Sequence, residues 1–323
     1  MKNFIVITSI ALTEAIKQYS NINDWRLIIV GDRKGPNDSP LNSIFIKYKG
    51  DLESKYLFSK YAPIDHYSRK NIGYLHAIGM GADLIYDTDD DNYPLKNWNE
   101  LFNEEKDPEF IATNESVFNI YTLFTKENIW PRGYPLEYLN KKFIPRYEKQ
   151  NFKIAIWQGL ADNDPDVDAI FRLVNGKEIK FSSGVYGISK NTFVPFNSQN
   201  TSWSKDAFPF LYLPCTVNFR FTDILRGYIA QRLAWEANLC LGFKGPTVYQ
   251  LRNKHDLLDD FKDEFSMYCE LKNLINILQE INLEGHSKID WMMQIYKKLF
   301  KEGIVKSNEF KILSYWLEDL SSF

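Results

Sequence analysis

The sequence has few cysteines, and they are not arranged as a metal site. Cys215, Cys240 and Cys269 are far apart in a chain of 323 residues and lack the close spacing of zinc ligands. An odd, scattered set of this kind excludes a disulfide framework and is typical of a reducing compartment. We expect no chemical role for these thiols.

Long apolar runs and long basic runs are also missing. No apolar run approaches the roughly 20 residues that span a bilayer, so we expect no transmembrane segment. The apolar stretch Met1–Leu12 is interrupted by Thr8 and Ser9 and has no small-residue cleavage site, which favours a first strand over a signal peptide. We therefore expect a cytoplasmic protein, with peripheral association with the inner membrane as an alternative. The formal net charge of −3 argues against nucleic acid as a partner.

The G-x-G-x-x-G fingerprint of dinucleotide-binding Rossmann domains is absent, although the chain opens with a βαβ pattern. Phe4–Thr8 and Trp25–Val30 predict two strands, and Ala11–Tyr19 predicts a helix between them. Thr8 and Asp32 would then lie at neighbouring strand ends, where Asp32 could accept a hydrogen bond from a base or ribose. A turn formed by the Gly-Asp pair is the alternative explanation for this aspartate.

The most distinctive feature present is a run of acids directly after an apolar segment. Ala82–Pro94 has the sequence ADLIYDTDDDNYP, in which Leu84–Tyr86 predicts a buried strand. The acids that follow it, expected at the carboxyl end of the strand, are Asp87, Asp89, Asp90 and Asp91. Ligands bind at this edge of open α/β sheets. Neighbouring carboxylates repel one another, and a bound cation relieves this repulsion. Carboxylate oxygens suit Mg²⁺ or Mn²⁺, ions that are commonly shared with substrate phosphates. A solvated acidic turn is the alternative.

Two basic residues precede the acidic run. Asp65–Gly81 predicts a helix with Asp65 as its N-cap, and Arg69 and Lys70 fall early in it. Both side chains could reach a diphosphate near the acids. Positive charges at a helix start are disfavoured by the helix dipole, which indicates a functional role. An ordinary solvated basic pair is the alternative.

A second acidic segment, Ala161–Ala169, contains alternating aspartates but lacks the glycine and glutamate of an EF-hand loop. Asp166 and Asp168 in it precede an apolar stretch that could begin a strand or a helix. We expect these acids to serve acceptor hydroxyls or base catalysis. Asp223 and Arg226 lie in the first turn of a later predicted helix, where a substrate could bind; a helix cap and a surface arginine are the alternative.

The last part of the chain has a different pattern. Residues 256–323 contain three apolar-striped helical segments, Asp256–Leu278, Ile289–Phe300 and Asn308–Leu320, and no chemical motif. We expect a helical appendage for packing, homodimerisation or partner docking, following a catalytic domain of residues 1–255. His255 at the boundary is a candidate further metal ligand, with a structural histidine as the alternative.

Several blocks of this chain resemble the STELLO glycosyltransferases. The closest likeness is in Val194–Thr201, Leu213–Val217 and Asp223–Glu236. The earlier blocks are Val30–Asp32, Tyr67–Ala77, Gly81–Ala82, Tyr86–Pro94 and Gly159–Leu173. Their order is kept over most of Met1 to Lys262. Asp89–Asp91 and Pro165–Asp168 have a more distant similarity to the reversibly glycosylated polypeptides, which include UDP-arabinopyranose mutases.

The resemblance implies a GT-A-like α/β fold, with a Rossmann-like nucleotide-sugar-binding sheet and helices on both faces. It implies that the D-x-D motif holds Mn²⁺ or Mg²⁺ through Asp89 and Asp91. The residues expected to contact the nucleotide sugar are Thr8, Asp32, Arg69, Lys70, Asp89, Asp90 and Arg226. The residues expected on the sugar and acceptor side, with catalytic roles, are Asp166, Asp168 and Asp223.

We therefore expect a metal-dependent glycosyltransferase. It would move a sugar from a nucleotide diphosphate or monophosphate donor to a glycan or lipid-linked acceptor, in surface polysaccharide or glycoconjugate synthesis. One of the three acceptor-side aspartates would deprotonate the acceptor hydroxyl in an inverting enzyme, whereas a retaining enzyme needs no such base. A sugar-nucleotide mutase and a non-catalytic scaffold are the alternative functions.

Overall fold

The computed structural model describes residues 1–36, 38–40, 42–105, 108–141, 143–252 and 256–323, and these form a mixed α/β fold. The strands of the described residues are β1 Asn3–Thr8, β2 Trp25–Val30, β3 Ser43–Ile46, β4 Leu84–Thr88, β5 Asn92–Pro94, β6 Glu109–Ala112, β7 Arg146–Glu148, β8 Lys153–Asp162, β9 Val185–Ile188, β10 Asn200–Ser204 and β11 Leu239–Gln250. They form one sheet with the order β3-β2-β1-β4-β10-β8-β11-β9-β6-β7, and β5 pairs with β11.

The α-helices of the described residues lie on both sides of this sheet. They are α1 Glu14–Ser20, α2 Lys70–Gly79, α3 Ala169–Asn175, α4 Thr222–Glu236, α5 Leu257–Glu280, α6 Lys288–Lys301 and α7 Glu309–Ser321. The apolar side chains of β1 alternate between the two faces, as the two-residue period of a strand requires. Ile5 and Ile7 pack with α1, whereas Phe4 and Val6 pack with α2. The predicted α/β class with helices on both faces is confirmed.

The order of the first strands creates a crevice at one edge of the sheet. β1 pairs in parallel with β2 on one side and with β4 on the other. The chain leaves β1 toward β2 and β3, then returns through α2 to β4, so the direction of winding reverses between β1 and β4. Such a reversal opens a crevice at the carboxyl ends of the strands, where open α/β sheets bind ligands.

Close packing of α2 on the sheet depends on Gly73. A Cβ atom at this position would lie 2.6 Å from Val6 Cγ1 and 2.7 Å from Val30 Cγ2. Glycine therefore lets the helix approach β1 and β2 closely, which brings the residues at its start toward the crevice.

Two details of the predicted elements around this crevice were wrong. Asp65 is not the N-cap of the helix: it has a φ of 53°, and the side chain of His66 accepts the Ser68 N–H at the start of a 3-10 turn before α2. The strand predicted to end at Tyr86 continues to Thr88, so Asp87 lies inside β4, and the acidic run that follows the strand consists of Asp89, Asp90 and Asp91.

The C-terminal helices share the core of the sheet. Met267 of α5, Leu299 of α6 and Trp316 of α7 belong to the same buried apolar cluster as residues of α2 and α4. The carboxylate of Asp319 in α7 accepts the backbone N–H groups of residues 57 and 58, at 3.0 and 2.8 Å. The domain division at residue 255 and dimerisation through these helices stay predictions. In the part of the chain that the structure describes, no helix is long and apolar enough to cross a membrane.

Candidate active site

A cavity of about 690 Å³ lies at the carboxyl edge of the sheet. It runs from the end of β2 past β1 and β4 to the ends of β8 and β11. The predicted site residues that line it are Thr8, Asp32, Arg69, Asp89, Asp90, Asp91, Asp166 and Asp223. Lys70, Asp168 and Arg226 are buried outside this lining, and His255 lies outside the described residues. The structure thus brings most of the predicted residues to one cavity.

The β2 end of the cavity is formed by Asp32 and Arg69. The Nε atom of Arg69 lies 3.3 Å from Asp32 Oδ2, and its Nη2 atom donates to Glu53 Oε1 at 2.7 Å. The guanidinium also lies 5.0 Å above the ring of Tyr48, and Arg69 is only 2% exposed. Arg69 is therefore held by two carboxylates and positions Asp32. Because Arg69 also lines the cavity, its contact with a diphosphate stays a prediction.

The first two carboxylates of the acidic run are fixed by neighbours on different elements. Asp89 Oδ1 accepts hydrogen bonds from Tyr67 Oη at 2.6 Å and from Lys70 Nζ at 3.2 Å. Asp90 accepts a hydrogen bond from the hydroxyl of Ser9, which follows β1 directly. The Ser9 contact bridges the crevice between β1 and β4, and the Tyr67 and Lys70 contacts tie Asp89 to the start of α2. Both carboxylates are thus held at the cavity wall.

The ionisation of Asp91 is shifted by its surroundings. Burial raises its pKa to about 7, with a further contribution from the negative charge of Asp89, while a hydrogen bond from Gln250 opposes the change. That bond runs from Nε2 of Gln250 to Asp91 Oδ2 at 2.8 Å. Burial also raises the pKa values of Asp89 and Asp90. A divalent cation would relieve this crowding of desolvated negative charge.

The acidic run fits a metal that is only partly held by protein. Among the described residues, no three His, Cys, Asp or Glu side chains converge on a single metal position. Mg²⁺ and related ions are commonly bound through one or two carboxylates together with substrate phosphates and water. Asp89 and Asp91, which both line the cavity, suit such a shared site.

A buried ionic cluster lies behind the acidic run. Lys70 Nζ lies 2.7 Å from Asp87 Oδ1, and Arg226 Nη1 lies 3.0 Å from Asp87 Oδ2. Burial lowers the pKa of Lys70, but the carboxylates of Asp87 and Asp89 outweigh this effect and hold it above its ordinary value. Lys70 and Arg226, which we expected to contact the nucleotide sugar, therefore support the cavity wall from behind.

Arg132 organises the opposite end of the cavity. Its Nε and Nη2 atoms donate to the two oxygens of Asp166, both at 2.8 Å, and its Nη1 and Nη2 atoms donate to Asp223 at 3.0 and 2.8 Å. Burial raises the pKa of Asp166, but the charge of Arg132 outweighs it, so this pKa lies below its ordinary value. Asp166 is consequently a stable carboxylate that binds hydrogen-bond donors well and protons weakly.

Asp168, expected to be catalytic, has a structural environment. It is fully buried and caps α3, where Oδ1 accepts the Phe171 N–H at 2.7 Å. Its Oδ2 atom accepts the indole N–H of Trp130 at 2.6 Å. Burial raises the pKa of this carboxyl to about 6. The apolar stretch after it is thus a helix, and Asp168 lies in the wall behind the cavity.

Sequence inspection missed several cavity residues. Those outside the predicted set with polar side chains toward the site include Ser9, Tyr67, Arg132, Gln199, Arg220, Gln250 and Arg252. Arg132 lies in an aromatic and proline-rich segment without periodicity, so its position could not be inferred from a strand or helix pattern. The one available signal was that the long irregular segment around it is typical of functional loops.

Comparison with known proteins supports the resemblance seen in the sequence. A family model of the STELLO glycosyltransferases matches residues 220–323. Two Arabidopsis thaliana proteins, Probable glycosyltransferase STELLO1 and STELLO2, are 30% and 29% identical to this chain over 95% of its length. The resemblance to the STELLO glycosyltransferases is confirmed. The chain spans 42% and 43% of the length of these two STELLO proteins.

Solved structures give a weaker likeness. The Mycobacterium tuberculosis glucosyl-3-phosphoglycerate synthase in complex with phosphoglyceric acid has a TM-score of 0.42 and 9% identity, covering 87% of this chain and 81% of that one. Its complex with Mn²⁺, uridine-diphosphate-glucose and glycerol 3-phosphate has a TM-score of 0.41, with the same identity and coverage. A similarity of this size carries no conclusion about the ligands of the present chain.

Proposed function

We propose that this protein is a metal-dependent glycosyltransferase with a GT-A-like fold that takes a nucleotide-sugar donor. The observation that carries the proposal is the arrangement of acids in one cavity. Asp32 lies at the β2 end, the Asp89–Asp91 run lies at the end of β4, and the Arg132 cluster lies beyond it. The names of the two STELLO relatives support the same reaction class.

The donor would lie along the first half of this row. Asp32, braced by Arg69, accepts a hydrogen bond from the nucleoside, and the diphosphate lies opposite the acidic run. Asp89 and Asp91 would hold Mn²⁺ or Mg²⁺, and Asp90 stays bound to Ser9 across the crevice. Such an ion, when bound, stabilises the negative charge that develops on the departing diphosphate.

The transferred sugar and the acceptor would lie along the second half. Asp166 and Asp223 face the cavity as carboxylates paired with Arg132, so they can accept hydrogen bonds from sugar and acceptor hydroxyls. Because Arg132 holds the pKa of Asp166 low, this residue orients a hydroxyl and is a poor proton acceptor. Asp168 contributes by fixing the start of α3, since its two carboxylate oxygens already accept hydrogen bonds from Phe171 and Trp130.

A transfer assay tests the proposal. Donor hydrolysis and sugar transfer are measured with a panel of nucleotide sugars plus Mn²⁺, in the wild type, Asp89→Ala, Asp91→Ala and the exposed control Asp83→Ala. We expect activity that chelator abolishes, that both site variants lose and that the control retains. Activity unaffected by chelator and by both site variants would reject the metal role. Conversion of UDP-arabinopyranose to the furanose form without an acceptor would identify a mutase instead.

A further inference from the structure

Two arginines in the cavity have no role in the mechanism above. Arg220, just before α4, and Arg252, just after β11, both line the cavity and are 12% and 11% exposed as side chains. Arg252 lies beside the acidic run, since the Leu251 N–H donates to the Asp91 carbonyl at 3.0 Å, and Arg220 lies beside Arg132, which donates to its carbonyl oxygen. An arginine in this position can bind a carboxylate or phosphate through its planar set of N–H donors.

Both guanidinium groups are held from behind by helix α5. Arg220 donates to Glu264 Oε1 through Nε at 3.1 Å and through Nη2 at 2.6 Å. Arg252 Nη2 donates to Asp260 Oδ2 at 2.6 Å, and Arg220 Nη2 lies 3.8 Å from the same oxygen. Neither α5 carboxylate is in the cavity lining, whereas both arginines are. The carboxylates therefore anchor the arginines and leave the cavity side of each group to a ligand.

The charge around Arg252 favours an anion. Burial lowers its pKa, the positive charges of Arg172 and Arg220 lower it further, and together these effects outweigh the opposing carboxylates of Asp260 and Asp164. The Nε atom of Arg252 is buried and has no hydrogen-bond partner among the described residues. A buried donor without a partner is costly, so a bound anionic oxygen would be stabilising here.

The position of the pair along the sheet edge indicates which ligand the anion belongs to. Arg220 lies three residues before Asp223, and its carbonyl oxygen accepts a hydrogen bond from Arg132, so it belongs to the half of the cavity assigned to the sugar and the acceptor. Arg252 shares the carboxylate of Asp260 with Arg220 and extends the pair toward the acidic run. Resting on the proposed function, we propose that the acceptor carries an anionic group, a phosphate or a carboxylate, which Arg220 and Arg252 bind. This group takes no part in bond making, because a separate hydroxyl of the acceptor attacks the sugar.

Calorimetry separates this acceptor anion from the donor diphosphate. Protein saturated with Mn²⁺ and its nucleoside diphosphate is titrated with inorganic phosphate, a sugar phosphate, a uronate, and phosphatidylcholine vesicles with and without a polyprenyl phosphate. The variants are Arg252→Gln, Arg252→Lys and, as an exposed control, Arg146→Gln. Nucleotide binding in each variant shows that the cavity remains folded.

We expect at least one anion to bind the nucleotide-loaded protein, roughly tenfold more weakly in Arg252→Gln and unchanged in Arg146→Gln. Binding of the soluble sugar phosphate or uronate would identify a soluble acceptor, and binding to the polyprenyl phosphate vesicles alone a lipid-linked one. The inference is wrong if the nucleotide binds but none of these anions does. It is also wrong if Arg252→Gln weakens binding of the nucleotide and leaves binding of the anion unchanged. In both cases the glycosyltransferase proposal stands. If the wild type bound no nucleotide at all, the proposed function itself would be contradicted.

Discussion

The ammonium group of Lys70 lies 2.7 Å from a carboxylate oxygen of Asp87, and both side chains are completely buried. Asp87 belongs to β4 and Lys70 begins α2, so the pair joins the strand that leads to the acidic run with the helix that covers it. Lys70 also reaches Asp89 at 3.2 Å. The position of the first proposed metal ligand therefore depends on this buried pair.

Lys70→Met should destabilise the protein as a whole. The substitution leaves the buried Asp87 with Arg226 as its remaining cationic partner, and breaking a buried ion pair costs about 3 kcal/mol or more. Guanidinium chloride unfolding at neutral pH measures the change in the free energy of unfolding. Lys177→Met, at an exposed position, is the matched control and should change little. Equal stability of the two variants would show that the pair does not support the fold.

Metal binding should depend on pH through Asp91. Because burial raises the pKa of Asp91 to about 7, protons compete with Mn²⁺ for this carboxylate below that pH. We expect the apparent Mn²⁺ affinity in the presence of nucleotide to rise up to about tenfold per pH unit below this pKa and to level off above it. Asp91→Asn, titrated in parallel, corrects for protonation of the nucleotide phosphates. Identical pH profiles in the wild type and the variant would assign the dependence to the nucleotide alone.

Asp168 should make stability fall as pH rises. Its carboxyl has a pKa of about 6 when folded, raised from its ordinary value, so the folded state binds the proton more tightly than the unfolded state. The free energy of unfolding should therefore decrease between about pH 4 and pH 6, with the full effect present above the folded pKa. Relative to Asp168→Asn, the wild type should lose up to roughly 3 kcal/mol over this range. Parallel unfolding profiles for the two proteins would exclude the shift.

Residues at strand ends could be predicted because parallel strands share one carboxyl edge. Once β1, β2 and β4 were identified, Thr8, Asp32 and the acidic run had to lie close together, and all of them line the cavity. This reasoning needs only the strands and their direction. It does not depend on how deeply any side chain is buried.

The depth of burial could not be predicted. Arg69 and Lys70 are neighbours in sequence and both are buried, yet Arg69 lines the cavity beside Asp32 whereas Lys70 pairs with Asp87 behind it. β4 extends two residues beyond the predicted strand, so Asp87 lies in the core and not at the cavity edge where we expected it. Asp168 and Arg226 are likewise buried by elements distant in sequence, and the Arg132 cluster joins three segments that no local pattern relates.

Nucleotide binding that depends on metal is the central prediction. Isothermal titration calorimetry with a panel of nucleoside diphosphates, in Mn²⁺ and in chelator, measures it for the wild type, Asp89→Asn, Asp91→Asn and the exposed control Asp83→Asn. We predict that a nucleoside diphosphate binds the wild type in Mn²⁺ and binds the control equally well. Binding should be at least about tenfold weaker in chelator and in either site variant. Equal affinity in Mn²⁺ and in chelator, unchanged in both site variants, would contradict a metal held by the acidic run.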